Sequence, residues 1–236
     1  MASEYSVKVL SVERCGLDIL SVRLERPKEY AFKSGQWLRV FLETGSGREA
    51  RTFSHASTGQ DDWIEFTTRL SDSAFKQALG RVEAGDTIAV SGAGGRLSLS
   101  RIGEKAAFLV GGVGVTPVRS LLREALQTGK VFSDALVIYG NRDDSCEPYL
   151  DELREMEGIG VRLVRVLEHP RPESGSESGY ITAELIARYV DPSDDRPYII
   201  AGPPVMVDAM EAVLDELGVG KELRIIEAFG SRQPVG

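Results

Sequence analysis

Apolar positions follow two different rhythms along the chain. Up to about residue 100 they form short runs that tend to alternate with polar residues, the spacing of strands with one buried face. Leu17-Asp18-Ile19-Leu20-Ser21-Val22-Arg23-Leu24 approaches a period of two and ends before Pro27. Trp37-Leu38-Arg39-Val40-Phe41-Leu42 follows Gly35 and stops before Gly45-Ser46-Gly47. Trp63–Arg69 and Thr87–Val90 read as further strands, with one short helix predicted over Ser73–Leu79. Several short strands divided by turns predict a small antiparallel barrel.

From Lys105 the rhythm changes to apolar runs followed by helical stretches. Strands are predicted at Ala106–Val110, Ala135–Tyr139, Val161–Leu167 and Tyr198–Ala201. Helices are predicted at Thr116–Gln127, Pro148–Glu157, Thr182–Tyr189 and Pro203–Leu217. In the last of these Met206, Met210, Val213 and Leu217 form one apolar stripe. Gly129 and Gly218 stand where helix C-caps belong. Strand–helix alternation of this length predicts a doubly wound parallel sheet with helices on both faces. The predicted fold is therefore two-domain, with a boundary near residues 98 to 104: an antiparallel β-barrel over 1–100 and an α/β domain over 101–236. The Gly-, Ser-, Pro- and Glu-rich stretch 168–179 reads as a surface loop.

Composition narrows the function. The 236 residues carry a formal charge of −8, which argues against nucleic acid and against a polybasic membrane patch. No apolar run approaches the ~20 residues that span a bilayer, and no basic segment leads into an apolar block near Met1. These features predict a cytoplasmic protein without membrane insertion. Cys15 and Cys146 read as two unrelated thiols, and with His55 and His169 as the only histidines no metal site is expected.

The chemistry begins at Gly111-Gly112-Val113-Gly114-Val115-Thr116-Pro117, between an apolar strand and an amphipathic helix. A strand–glycine turn–helix arrangement points backbone N–H groups at a phosphate, and glycine lets a ligand approach the backbone closely. Pro117 is tolerated because the first turn of a helix has no partner for its missing N–H. A second cluster, Arg51-Thr52-Phe53-Ser54, ends a predicted strand. Arg51 offers a guanidinium to phosphate, Phe53 a flat ring for stacking, and Ser54 one hydrogen bond at a ring edge. Strand geometry puts Arg51 and Phe53 on one face and Thr52 and Ser54 on the other.

With these motifs in order, the chain resembles the ferredoxin–NADP reductase superfamily, in the two-domain form shared with flavohaemoglobin and oxygenase reductases. Residues 51–54 are similar to its flavin motif Arg-x-Tyr-Ser, and 111–117 match its Gly-Gly-x-Gly-x-Thr-Pro turn. Ala201-Gly202-Pro203-Pro204-Val205-Met206 matches Cys-Gly-Pro-Pro-x-Met except at the first position. Glu227-Ala228-Phe229-Gly230 resembles the flavohaemoglobin-type tail. The resemblance implies an FAD domain over 1–100, an NAD(P) domain over 101–236, and hydride transfer from NADH or NADPH to FAD. Electrons would then pass to a separate ferredoxin-like protein, an oxygenase component or a small oxidant.

It also implies residue roles. Arg51 would meet the FAD pyrophosphate, Phe53 would stack on the isoalloxazine, and Ser54 would lie near N5. Thr67, Thr68 and Arg69 would line the flavin, with Ser73 presenting backbone N–H groups to its phosphates. Gly112, Val113 and Gly114 would hold the dinucleotide pyrophosphate, and Thr116, followed by Pro117, would sit at the domain junction. Asn141 and Arg142 would face the adenosine ribose, while Gly202, Pro203 and Met206 would border the nicotinamide. Phe229 would cover the flavin and move aside as a gate. Ser54, Thr116 and Phe229 are thus the expected catalytic residues. Two departures stand out: Phe53 lacks the usual Tyr hydroxyl, and Ala201 replaces Cys, predicting slower or less strictly oriented hydride transfer. Those departures are the basis of a second reading, a non-catalytic flavin- or nucleotide-binding subunit that senses redox state or serves electron transfer in a larger complex.

Overall fold

A computed structural model of the chain describes residues 3–230. It divides into two compact units, one of residues up to 99 together with 116–124, the other of 100–115 together with 125 onward.

The first unit contains β1 (Glu4–Cys15), β2 (Ile19–Glu25), β3 (Trp37–Thr44), β4 (Gly47–Ser54), β5 (Trp63–Arg69), α1 (Ala74–Leu79) and β6 (Thr87–Ser91). The strands form one antiparallel sheet in the order β4-β3-β6-β1-β2-β5. Just past β4 the Ala56 N–H donates to the Glu65 carbonyl of β5 at 2.7 Å, so the two edge strands turn toward one another. Inward-facing Leu20, Val22, Leu38, Val40, Ile64 and Phe66 fill the interior. Burying each such side chain is worth about 1.5–3 kcal/mol. The sequence pattern did not reveal β1. A register shift between Val9 and Ser11 breaks its alternation, and Leu10 beside it is half exposed.

The second unit contains β7 (Lys105–Gly111), the ends of α2 (Val115–Thr128), β8 (Asp134–Asn141), α3 (Leu150–Glu155), β9 (Val161–Leu167), β10 (Glu177–Ser178), α4 (Ala183–Tyr189), β11 (Tyr198–Gly202), α5 (Pro204–Glu216) and β12 (Arg224–Ala228). Its sheet is parallel, in the order β10-β9-β8-β7-β11-β12. After β7 the chain builds outward through β8, β9 and β10, then returns to lay β11 and β12 on the opposite side of β7. The order reverses between β7 and β11, and such a switch point opens a crevice at the strands' C-terminal ends. Gly129 caps α2 in the left-handed region at φ 71°. On α5 the fully buried residues are Val207, Met210 and Leu214, with Met206, Val213 and Leu217 flanking them. The buried stripe is therefore rotated from the predicted one.

Neither Cys15 nor Cys146 is a free thiol, which corrects the expectation of two independent thiols. Among the described residues no helix is long and apolar enough to cross a membrane, and no cluster of side chains could hold a metal ion.

Candidate functional site

In the first unit the end of β4 is held against β3, with Arg51 opposite Val40 and Phe53 opposite Leu38. Alternation puts the guanidinium and the ring on one face. Arg51 is exposed; it donates to Glu49 Oε2 at 2.6 Å and lies 5.3 Å above the Phe75 ring. Phe53 is only 8% exposed, not an open platform. Its ring stacks on Phe66 at 4.7 Å and leans toward Phe75 at 6.1 Å. The Lys76 ammonium stands 4.6 Å over the same ring and donates to Thr68 Oγ1. Burial, helped by Arg51, pulls the Lys76 ammonium down to about 8.

The other predicted flavin residues are distributed around this cluster. Ser54, Thr67 and Thr68 are buried, and Thr67 Oγ1 shares a hydrogen bond with Ser21 Oγ at 2.7 Å. Thr52 is exposed, and Arg69 pairs with Asp18 at 2.6 Å. Ser73 caps α1, its Oγ accepting from the Lys76 N–H at 3.3 Å. That helix has only six residues, too short to build much of a dipole.

The same unit holds a buried ionic clamp. Glu65, 2% exposed, accepts from Arg23 Nε at 2.9 Å and lies 3.3 Å from the Arg119 guanidinium of α2. Arg119 also donates to the Ala56 carbonyl at 2.9 Å, and Ser120 to that of Ser57 at 2.6 Å. One turn on, Arg123 meets Asp61 at 3.2 Å. Thr116 and Pro117, at the start of this stretch, are buried.

In the second unit β7 runs into a 3-10 turn, Gly112–Gly114, and then α2. Gly112 has φ +52°, in the left-handed region that favours glycine. Gly114 is glycine for another reason. A Cβ there would stand 2.0 Å from the Ala201 carbonyl oxygen and 2.9 Å from Gly202 Cα, so the turn presses backbone to backbone on β11. Val113 is half-buried between them. Asn141 ends β8, whose Gly140 is in register with Gly111. Its Nδ2 is buried with no hydrogen-bond partner. Arg142 is exposed, Asp143 accepts from the Ser145 N–H at 2.9 Å, and Asp144 pairs with Arg171 at 2.6 Å.

Gly202 ends β11 and Pro203 caps α5. Met206 reaches back so that a Cβ on Gly111 would meet its Sδ at 2.2 Å. The Phe229 N–H donates to the Gly202 carbonyl at 2.9 Å, which seats the half-buried Phe229 at the C-terminal end of β11. Glu227, on β12, faces no cation within 4 Å among the described residues, and burial pushes its carboxyl up.

Residues 108–212 match the oxidoreductase NAD-binding domain family. Over 238 residues the chain is 32% identical to the reductase component of propane 2-monooxygenase from Mycolicibacterium goodii, spanning 95% of this chain and 67% of that protein. The chain belongs to the ferredoxin–NADP reductase superfamily. This reductase is also 27% identical to ferredoxin–NADP reductase B of Sorangium cellulosum over 97% of its length and 98% of that protein's. Its fold matches a Neisseria gonorrhoeae ferredoxin NADP+ reductase solved with bound FAD and NADP. The TM-score is 0.84 at 23% identity, covering 97% of this chain and 99% of that one.

The residues present in the reductase fit both cofactors on their donor chemistry. Beside Phe53 stand two cations, Arg51 and Lys76, and among the described residues Glu49 is the one carboxylate within 4 Å of either. That set suits an anionic group attached to a flat ring. In the second unit the unpaired Asn141 amide is a buried donor awaiting an acceptor, which a ribose hydroxyl supplies. Sequence reasoning missed Lys76 and the pairing of Glu65 with Arg119. A lysine in a short helix and a glutamate in a strand carry no local mark. Their importance arises from neighbours far along the chain.

Proposed function

We propose that this NAD(P)H-dependent flavin oxidoreductase holds FAD on the cation-and-ring cluster of β4, β5 and α1. It holds NADH or NADPH at the glycine turn and the β7–β11 switch point, and delivers electrons to a separate acceptor protein, of the ferredoxin or oxygenase-component kind, or to a small oxidant. The bound flavin supplies the hydride-accepting and electron-relaying chemistry, which no side chain of the protein can provide.

The chain's own share is binding and alignment. Arg51 gives up its surface contact with Glu49 to meet a phosphate. Ser54, Thr67 and Thr68 offer buried hydroxyls to the polar edge of a ring. Val113 and the glycine turn around Gly112 receive the dinucleotide's pyrophosphate, and Asn141 orients its ribose, with Arg142 beside it. Gly202, Pro203 and Met206 border the nicotinamide. Phe229, held by its backbone N–H on the Gly202 carbonyl, turns its ring aside as a gate. The observation that carries this reading is the glycine turn with its left-handed Gly112, set where the strand order reverses. We further propose a cytoplasmic location, a point that cell fractionation tests.

Anaerobic addition of NADH or NADPH to the purified yellow protein should bleach its flavin absorbance, as followed in a stopped-flow instrument. A yellow protein that neither nucleotide bleaches would favour the non-catalytic subunit. A colourless protein that cannot be reconstituted with FAD would end the flavin assignment.

A further inference from the structure

We propose that Lys76 is the second cation of the flavin-pyrophosphate site and that, without flavin, it holds the place of the isoalloxazine on the Phe53 ring. The proposal rests on the reading that FAD binds at Arg51 and Phe53. Its starting point is steric. Phe66 stacks on Phe53 at 4.7 Å, and the Lys76 ammonium stands 4.6 Å over that same ring. One ring face cannot hold both, so they occupy opposite faces. Phe66 belongs to the barrel interior, fully buried, and cannot leave. A flavin can therefore stack on Phe53 only where Lys76 now stands, and Lys76 must swing away.

Electrostatics says where it goes. The ammonium faces Arg51 and the Phe53 ring from β4 and Thr68 Oγ1 from β5. None of these is an anion, and no carboxylate lies within 4 Å of it among the described residues. A cation–π contact and one hydroxyl compensate a partly buried charge poorly. A phosphate beside Arg51 would supply both the missing counter-charge and a stronger partner. Lysine suits the exchange, because its flexible stem carries a point charge to a new position at the cost of a rotamer change. Ring stacking and phosphate pairing are thereby linked, since the ring site opens as the cation moves to the phosphate.

The linkage makes a signed pH dependence. In the free protein the ammonium titrates at about 8, whereas pairing with phosphate returns it to the ordinary lysine range or above. Flavin binding then takes up a proton above pH 8 and weakens as pH rises. Between pH 7 and 9 the expected loss of FAD affinity is about tenfold.

The test is titration of FAD, and separately of riboflavin, into apoprotein, followed by quenching of flavin fluorescence at pH 7, 8 and 9. Lys76→Met should bind FAD about ten- to a hundredfold more weakly at pH 7, with a flat pH profile. It should bind riboflavin, which has no phosphate, as well as the wild type or better. Lys76→Arg should keep FAD affinity near the wild-type value at pH 7 and also lose the slope, which shows that the variant folds. Wild-type FAD affinity and slope in Lys76→Met would overturn the proposal, and so would equal losses for FAD and riboflavin. Failure of the wild-type apoprotein to bind FAD at all would instead overturn the flavin reading beneath it.

Discussion

Replacing Gly114 with alanine should damage the fold before it damages nucleotide binding. The added Cβ would lie 2.0 Å from the Ala201 carbonyl oxygen and 2.5 Å from its carbon. Ordinary contact begins near ~3.4 Å, so the β11 backbone would have to retreat by about 1.4 Å. It has nowhere to go, because β11 is hydrogen-bonded to β7 on one side and β12 on the other. Overpacking of a rigid core costs about 1–3 kcal/mol, and a backbone obstacle on both sides puts this site near the upper value. For a chain of this size that corresponds to a melting shift of roughly 6–12 °C. Gly112→Ala is the comparison. Its φ of +52° costs an alanine only about 1–2 kcal/mol. Calorimetry of both variants, with and without NADH, gives the reading. A Gly114→Ala protein that melts like the wild type yet no longer binds nucleotide would refute the packing argument and place Gly114 against the ligand.

Three further outcomes are expected. Arg51→Ala loses a charge-assisted contact of about 1.5–3 kcal/mol, so FAD affinity should fall roughly ten- to 150-fold. Fluorescence titration reads this, and a change below twofold would remove Arg51 from the site. Glu65→Ala takes the buried carboxylate away from the Arg119 guanidinium, itself 2% exposed, and should lower stability by about 3–5 kcal/mol in urea unfolding. A loss under 1 kcal/mol would mean that the clamp is already open in solution. His55 is buried, bonded to Tyr30 and to the Gln36 carbonyl, and burial pushes it down to about 4. Its depressed value favours the folded state at neutral pH and is lost as the unfolded chain takes up a proton below about 6.5. Stability should therefore drop by about 2 kcal/mol from pH 7 to pH 5, and a constant urea midpoint over that window would contradict it.

Elements legible in the sequence were those bounded by turns and buried on a regular face. Trp63–Arg69 and Val161–Leu167 are strands over the residues their patterns delimit. β12 escaped because it lies at a sheet edge, where the charged residues Arg224 and Glu227 break up a short apolar run. The motifs were legible as motifs, and the family follows from them. The state of each residue was not. Nothing near Phe53 announces that its ring is pinned by Phe66 and Phe75, which come from β5 and α1. Nor does the spacing Gly112–Gly114 reveal that one glycine answers to its own φ and the other to a neighbouring strand. Such constraints are set by through-space neighbours, and a linear pattern records only the residue type that survives them.

Helix α2 is shared between the two compact units, and this limits how the gene could ever be cut. A fragment ending at residue 99 would omit Arg119 and Arg123, taking one guanidinium partner from each of Glu65 and Asp61 and leaving Glu65 its ion pair with Arg23. The halves are not interchangeable cassettes. Any graft that transplants the amino-terminal half onto another scaffold must bring the segment 116–124 along, or find guanidinium groups to replace it.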